Sequence, residues 1–119
     1  MRVMKEITFD AAHQLRGYDG NCANLHGHQW RVQVIAEGPV CANTGMVIDF
    51  KALKQIMKEE IEDRYDHKYI NEVSPFDKIN PTAENIAGVI LGHLTARNKT
   101  IIGVRIWETP TSCAEMIWE

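Results

Sequence analysis

The chain has 119 residues, with 13 Lys plus Arg against 16 Asp plus Glu and a formal net charge of −3. That length suits one domain, residues 1–119, with a core that buries roughly two-thirds of the unfolded chain's surface and needs no disulfides. Mild acidity argues against a general nucleic-acid binder, which neutralises phosphates with a basic excess, but leaves room for a small anionic substrate.

Cys22, Cys41 and Cys113 are odd in number and form no Cys-x-x-Cys pair, so neither a disulfide framework nor a thiolate zinc knuckle is indicated. The N-terminus lacks an apolar signal core, and no apolar run approaches the roughly 20 residues that span a bilayer. A reducing, cytoplasmic location is expected, with no membrane partner.

From Ile7 to Leu15 apolar and polar residues alternate with period two, which predicts a half-buried first strand. Gly17, Asp19, Gly20, Asn21 and Asn24 then form a loop. Alternation resumes over 26–36, with His26, His28, Trp30, Val32 and Val34 on one face of a second strand.

Beyond Gly38-Pro39, Asp49 can cap a helix running to about Asp63, with Phe50, Leu53, Ile56, Met57 and Ile61 at three-and-four spacing. A polar connection over 64–81 precedes a second helix, capped by Thr82, striped by Ile86, Ile90, Leu91 and Leu94, and stopped at Asn98. Ile102, Val104 and Ile106 alternate in a third strand, and 113–118 supply a fourth. The order β-β-α-α-β-β predicts an α+β fold, an antiparallel sheet with both helices on one face. Its open edges suggest oligomerisation by edge pairing.

His26 and His28, two residues apart on one strand, present both imidazoles to the same side, and His13 lies in phase across the loop. Three neutral imidazoles with a fourth position open describe a catalytic zinc site. A lone histidine would more often pack or cap a strand end; the His-Gly-His pair with an in-phase partner favours metal.

Cys22, four residues before His26, can reach the edge of such a site as a ligand or a base. Cys41 and Cys113 read as ordinary thiols. Asp66-His67 pairs a carboxylate with an imidazole able to move protons near neutral pH. Glu108 continues the face of Ile102, Val104 and Ile106, where a carboxylate wants a partner such as a ligand edge with two N–H donors. His93 is placed on the helix surface, and Trp30, Trp107 and Trp118 in packing or subunit contact. Phosphate-cradling glycine loops, dinucleotide fingerprints and helical His-Glu-x-x-His are absent from the sequence.

Phe9-Asp10-Ala11-Ala12-His13, Cys22-Ala-Asn-Leu-His26-Gly27-His28, Gly45-Met46-Val47-Ile48-Asp49-Phe50, Asp66-His67-Lys68, Pro81-Thr82-Ala83-Glu84-Asn85 and Glu108-Thr109 occur in this order across nearly the whole chain. Together they resemble the 6-pyruvoyl-tetrahydropterin synthase superfamily. The three residues between Cys22 and His26 are similar to the spacing in its 6-carboxytetrahydropterin synthase branch, which serves queuosine and deazapurine biosynthesis; the pyruvoyl-forming branch typically has a longer gap.

The resemblance implies the tunnelling fold, with trimers stacked into homohexameric barrels and active sites at subunit interfaces. It implies Zn2+ held by His13, His26 and His28, Cys22 as the proton-abstracting base, and Asp66-His67 as a second proton-transfer pair. Glu108 would anchor the pterin ring, with Thr82 and Glu84 near it. The implied reaction is a carbon-carbon lyase reaction on a pterin triphosphate, with Lys68, Arg16 and Arg105 as candidate cations for the triphosphate. Pyruvoyl-forming synthase activity and a noncatalytic oligomer that binds zinc or pterin are the alternatives.

Overall fold

The computed structural model describes residues 1–20 and 23–118. Strands β1 (Arg2–His13) and β2 (His26–Glu37) form a long antiparallel hairpin in which Arg2 faces Glu37 and His13 faces His26. β1 starts five residues earlier than its strongest alternation, because pairing with β2 carries the strand through the polar segment Arg2 to Glu6.

α1 (Phe50–Met57) is capped by Asp49, whose side chain accepts the Lys51 N–H at 2.9 Å, satisfying one of the donors left free in a first helical turn. It runs on through a π turn at Lys58–Glu62 into α2 (Asp63–Tyr65). Leu53, Met57, Ile61 and Tyr65 are all fully buried at spacings of four. A 3.6-residue period falls behind that spacing by about 40° at each step, and the wider π turn restores the alignment. The helical segment therefore ends at Tyr65, beyond the expected Asp63.

The connection expected to be plain loop contributes β3 (Lys68–Tyr69), which pairs in parallel with Ala11 and Ala12 at the sheet edge. The sheet is thus five-stranded and mixed, in the order β3-β1-β2-β4-β5, rather than four-stranded and antiparallel. Two residues are too few to show a period, so only tertiary pairing reveals this strand.

α3 (Ala83–Arg97) begins at Thr82, whose hydroxyl accepts the Asn85 N–H, and ends at Asn98. β4 (Ile101–Thr109) and β5 (Ser112–Ile117) complete the sheet. No helix among the described residues is long and apolar enough to cross a membrane.

The helical residues Leu53, Met57, Ile61, Tyr65, Ile86, Ile90, Leu91 and Leu94 share one core with Phe9, Trp30, Val32, Val34, Val104 and Ile106 of the sheet. Both helical units therefore cover the same face, and the opposite face carries polar side chains such as Gln33, Arg105 and Glu115. Of the tryptophans, Trp30 is fully buried, Trp107 lies under the Arg31 guanidinium at 3.8 Å, and Trp118 is exposed.

β5 approaches β4 closely at Gly103, where an added Cβ would stand 2.8 Å from Ile117 Cγ1 and 3.1 Å from the Met116 carbonyl oxygen. Gly103→Ala should lower stability by about 1–3 kcal/mol, the usual cost of overpacking, measured by denaturant unfolding. An unchanged midpoint would show that β5 is loosely seated.

Candidate metal centre and active site

The hairpin register sets His13 opposite His26 and Ala11 opposite His28. Cross-strand partners point to the same face, so the three imidazoles emerge together on the buried face, next to Trp30. The His13 and His28 rings stand edge-on to the Trp30 indole with centroids 4.9 and 5.5 Å away. On β4, Arg31 opposite Trp107 places Glu108 level with Trp30 on this same side. The ligating atoms of His13, His26, His28 and Glu108 all lie within 4.8 Å of one another.

Hydrogen bonds fix how the rings present themselves. His13 Nδ1 is 2.8 Å from the Pro81 carbonyl and His26 Nδ1 is 2.7 Å from the Asn24 carbonyl. A carbonyl only accepts, so each Nδ1 carries the proton and each neutral ring turns a lone pair out at Nε2. Those two Nε2 atoms face each other at 2.9 Å. Two lone pairs at that distance repel unless a cation lies between them. Protonation is opposed by burial, which lowers the His13 pKa below its ordinary 6.5.

Among the described residues His28 Nε2 is buried without a hydrogen-bond partner, its 3.1 Å contact with Glu108 Oε1 lacking the alignment of a hydrogen bond, and burial lowers its pKa too. Glu108 Oε1 also lies 3.8 Å from His13 Nε2. Convergent lone pairs, an orphaned buried nitrogen and a carboxylate suit a divalent metal. The 2.9 Å separation is within a few tenths of an ångström of the ~3.3 Å edge of a tetrahedron with metal–nitrogen bonds of about 2.0–2.1 Å. This cluster could hold a metal ion.

Asp66 and His67 gather elsewhere. Asp66 Oδ1 accepts the Asp10 N–H at 3.0 Å, Asp66 Oδ2 lies 3.1 Å from His67 Nδ1, and the His67 N–H donates to the Asp10 carbonyl at 2.7 Å. The Asp10 hydrogen bond, foremost, and then the His67 imidazole hold the Asp66 carboxyl below its ordinary range. His67 adopts φ 59°, a left-handed conformation uncommon for histidine, pinned by the Asp10 contact. Asp10 alternates with the buried Phe9 and Ala11, so its carboxylate stands on the exposed face, and the ligating atoms of Asp10, Asp66 and His67 lie within 4.8 Å of one another. The pair and the three histidines therefore occupy opposite sides of the sheet.

A cavity of about 530 Å³ is lined by Asp10, Gly27, His28, His67, Lys68 and Tyr69, among others, so His28 also borders it. Another, of about 360 Å³, is lined by Glu108, Glu84, Ala83 and Ser112–Glu115. Glu84 thus joins Glu108, whereas the Thr82 hydroxyl oxygen is engaged in capping α3. Cys22 lies outside the described residues.

Of the three candidate cations, Arg16 donates to the Phe76 and Ile79 carbonyls, and Arg105 to Glu115 and Gln33. Lys68 is exposed and, among the described residues, has no ion pair or side-chain hydrogen bond that would occupy its amine. His93 is half-buried rather than on the surface, and its Nδ1 lacks a partner among the described residues.

Sequence reasoning missed Asp10 as the partner of Asp66 and Cys113 as a wall of the Glu108 cavity. Alternation around Asp10 marked it as outward-facing, but nothing local pointed to Asp66. The Pro81 and Asn24 carbonyls leave no side-chain signal at all.

His26→Ala should abolish metal binding in equilibrium dialysis, while Glu108→Gln should retain it if the carboxylate faces substrate. Loss of metal in Glu108→Gln would make Glu108 a resident ligand. Because the lowered His13 and His28 bind fewer protons folded than unfolded, metal-free protein should keep its full histidine contribution above about pH 6.5 and lose it as pH falls below. Thermal melts from pH 7.5 to 5 should show a fall that His13→Gln diminishes; an equal fall in that variant would assign the effect elsewhere.

A family model described as 6-pyruvoyl tetrahydropterin synthase matches residues 2–118. The chain is 40% identical to the 6-carboxy-5,6,7,8-tetrahydropterin synthase of Haemophilus influenzae, over 96% of each chain. It is 36% identical to the protein of that name from Synechocystis, over 94% of this chain and 89% of the relative. The solved Caenorhabditis elegans 6-pyruvoyl tetrahydropterin synthase superposes with a TM-score of 0.93 at 28% identity, covering 100% of this chain and 96% of that one. With the family pattern matched from end to end and relatives aligned over nearly their full length, this chain belongs to the 6-pyruvoyl tetrahydropterin synthase family.

Proposed function

We propose that this chain is a zinc-dependent 6-carboxy-5,6,7,8-tetrahydropterin synthase. It converts 7,8-dihydroneopterin triphosphate and water to 6-carboxytetrahydropterin, acetaldehyde and triphosphate, in the cytoplasm, as a step of queuosine and deazapurine biosynthesis. The observation that carries this is the convergence of His13, His26 and His28 at Nε2, with Glu108 beside them, in a chain most of whose length aligns with carboxy-forming relatives.

His13, His26 and His28 would hold Zn2+, which when bound supplies a Lewis acid that polarises the side-chain oxygens of the substrate and acidifies adjacent C–H bonds. Cys22 takes a proton from the substrate side chain as thiolate. His67, oriented by Asp66, takes or returns a second proton. Glu108 accepts two N–H bonds from the amino-pyrimidinone edge of the pterin, and Thr82 and Glu84 lie close to that ring. Lys68, whose amine is otherwise uncommitted among the described residues, binds the triphosphate. Triphosphate elimination, internal redox into the ring and carbon-carbon cleavage require no external hydride.

The placement of Asp66-His67 across the sheet from the histidines supports a site shared between protomers, in keeping with trimers stacked into a hexamer. Mixing inactive His26→Ala subunits with inactive His67→Ala subunits should then restore turnover. Failure of mixed, exchanged subunits to regain activity would place the whole site within one chain.

Zinc-loaded protein incubated with 7,8-dihydroneopterin triphosphate should yield 6-carboxytetrahydropterin and equimolar acetaldehyde by mass analysis. A 6-pyruvoyl product without acetaldehyde would assign it to the pyruvoyl-forming reaction, and no turnover would make it a noncatalytic binding oligomer. Cys22→Ala should keep zinc but lose about a hundredfold to ten-thousandfold in rate, the range for removing a general base.

A further inference from the structure

The carbonyl that sets the His13 tautomer belongs to Pro81, and Pro81 is held in place through the residue before it. The Arg16 N–H donates to Asn80 Oδ1 at 2.8 Å, and Asn80 Nδ2 donates to the Arg16 carbonyl at 2.7 Å. One side-chain amide thereby satisfies both backbone groups of one residue, as a neighbouring strand would. The Arg16 guanidinium fastens the same segment, with Nη2 donating to the Phe76 carbonyl at 2.6 Å and the Ile79 carbonyl at 2.9 Å. Asn80's own carbonyl accepts from Asn85 Nδ2 at 2.9 Å, tying it to the first turn of α3. The contacts close a ring: His13, three residues on to Arg16, across to Asn80, on to Pro81, and back to His13 Nδ1 at 2.8 Å.

We propose that Asn80 and Arg16 are positioning residues of the metal centre, holding the Pro81 carbonyl where it orients the His13 imidazole. This rests on the reading of the histidine cluster as a zinc site. Folding of the segment has other anchors. Asn71 pairs with the N–H and carbonyl of Gln14 at 2.9 and 2.8 Å, and Ile70 and Phe76 are fully buried in the core.

What the Asn80–Arg16 clamp adds is the place of one carbonyl. A hydrogen bond from the non-ligating nitrogen fixes ring orientation and raises the basicity of the ligating one. Without it, His13 is free to exchange tautomers and to turn away from Nε2 presentation. The Asn80 bonds to Arg16 lie at exposed positions, so water replaces them when the side chain is removed and the fold survives.

The test compares metal-depleted wild type, Asn80→Ala and Arg16→Lys. Arg16→Lys retains the backbone pairing with Asn80 while dropping the guanidinium contacts, so it stays informative if Asn80→Ala does not fold. Zinc dissociation constants are measured by competition with a chromophoric chelator, Co2+ complexes by visible absorption, and metal-free thermal melts alongside.

Asn80→Ala should raise the zinc dissociation constant about 10- to 100-fold, as loss of an outer-shell partner does, and alter the cobalt spectrum, with metal-free melting little changed. Arg16→Lys should shift both in the same direction by less. Wild-type zinc affinity and cobalt spectra in the folded variants would overturn the positioning role. Wild-type protein that binds neither zinc nor cobalt would instead overturn the metal reading itself, before any variant is compared.

Discussion

Two hydrogen bonds from imidazole Nδ1 to backbone carbonyls, His13 to Pro81 and His26 to Asn24, decide what this fold can do. They leave lone pairs on both Nε2 atoms, and the hairpin register brings those atoms to 2.9 Å. The long β1–β2 ladder makes the arrangement stiff, since a slip of β2 by one residue would turn His26 and His28 to the face opposite His13. Core packing then determines the chemistry. Trp30, fully buried, walls the cluster on one side, and desolvation holds His13 and His28 in the neutral form that a metal requires.

The sheet also separates functions. Its buried face carries the donor set and the Glu108 carboxylate, and its exposed face carries Asp10, Asp66 and His67. The π turn between α1 and α2 keeps Tyr65 buried against Phe9 and Phe76, immediately before Asp66. The left-handed φ of His67 is sustained by the backbone contact to Asp10, so Asp66 and His67 are fixed against β1 immediately before the edge strand rather than on a free loop.

Much of this was legible from residue order. Period-two alternation located β1, β2 and β4, set His26 and His28 on one face of β2 with His13 in phase on β1, and put Glu108 on the apolar face of β4. Asp49 and Thr82 marked both helix starts correctly. What escaped depended on contacts between distant segments. β3 has two residues and exists only because Ala11 and Ala12 lie beside it. The π turn escapes an apolar stripe that stops at Ile61; only with Tyr65 included does the run of fours at 53, 57, 61 and 65 carry its signature. The proximity of Glu108 to His28 depends on strand register across β2 and β4, and the carbonyls that orient His13 and His26 come from backbone, which no residue type advertises.

In the proposed site three imidazoles, with no thiolate, form the protein's share of the metal's inner shell. X-ray absorption at the zinc edge of the loaded, substrate-free protein tests this directly. The account predicts three imidazole nitrogens at about 2.0–2.1 Å with a light-atom fourth donor. A sulfur scatterer at about 2.3 Å would contradict it, making Cys22 a ligand and removing it as the base.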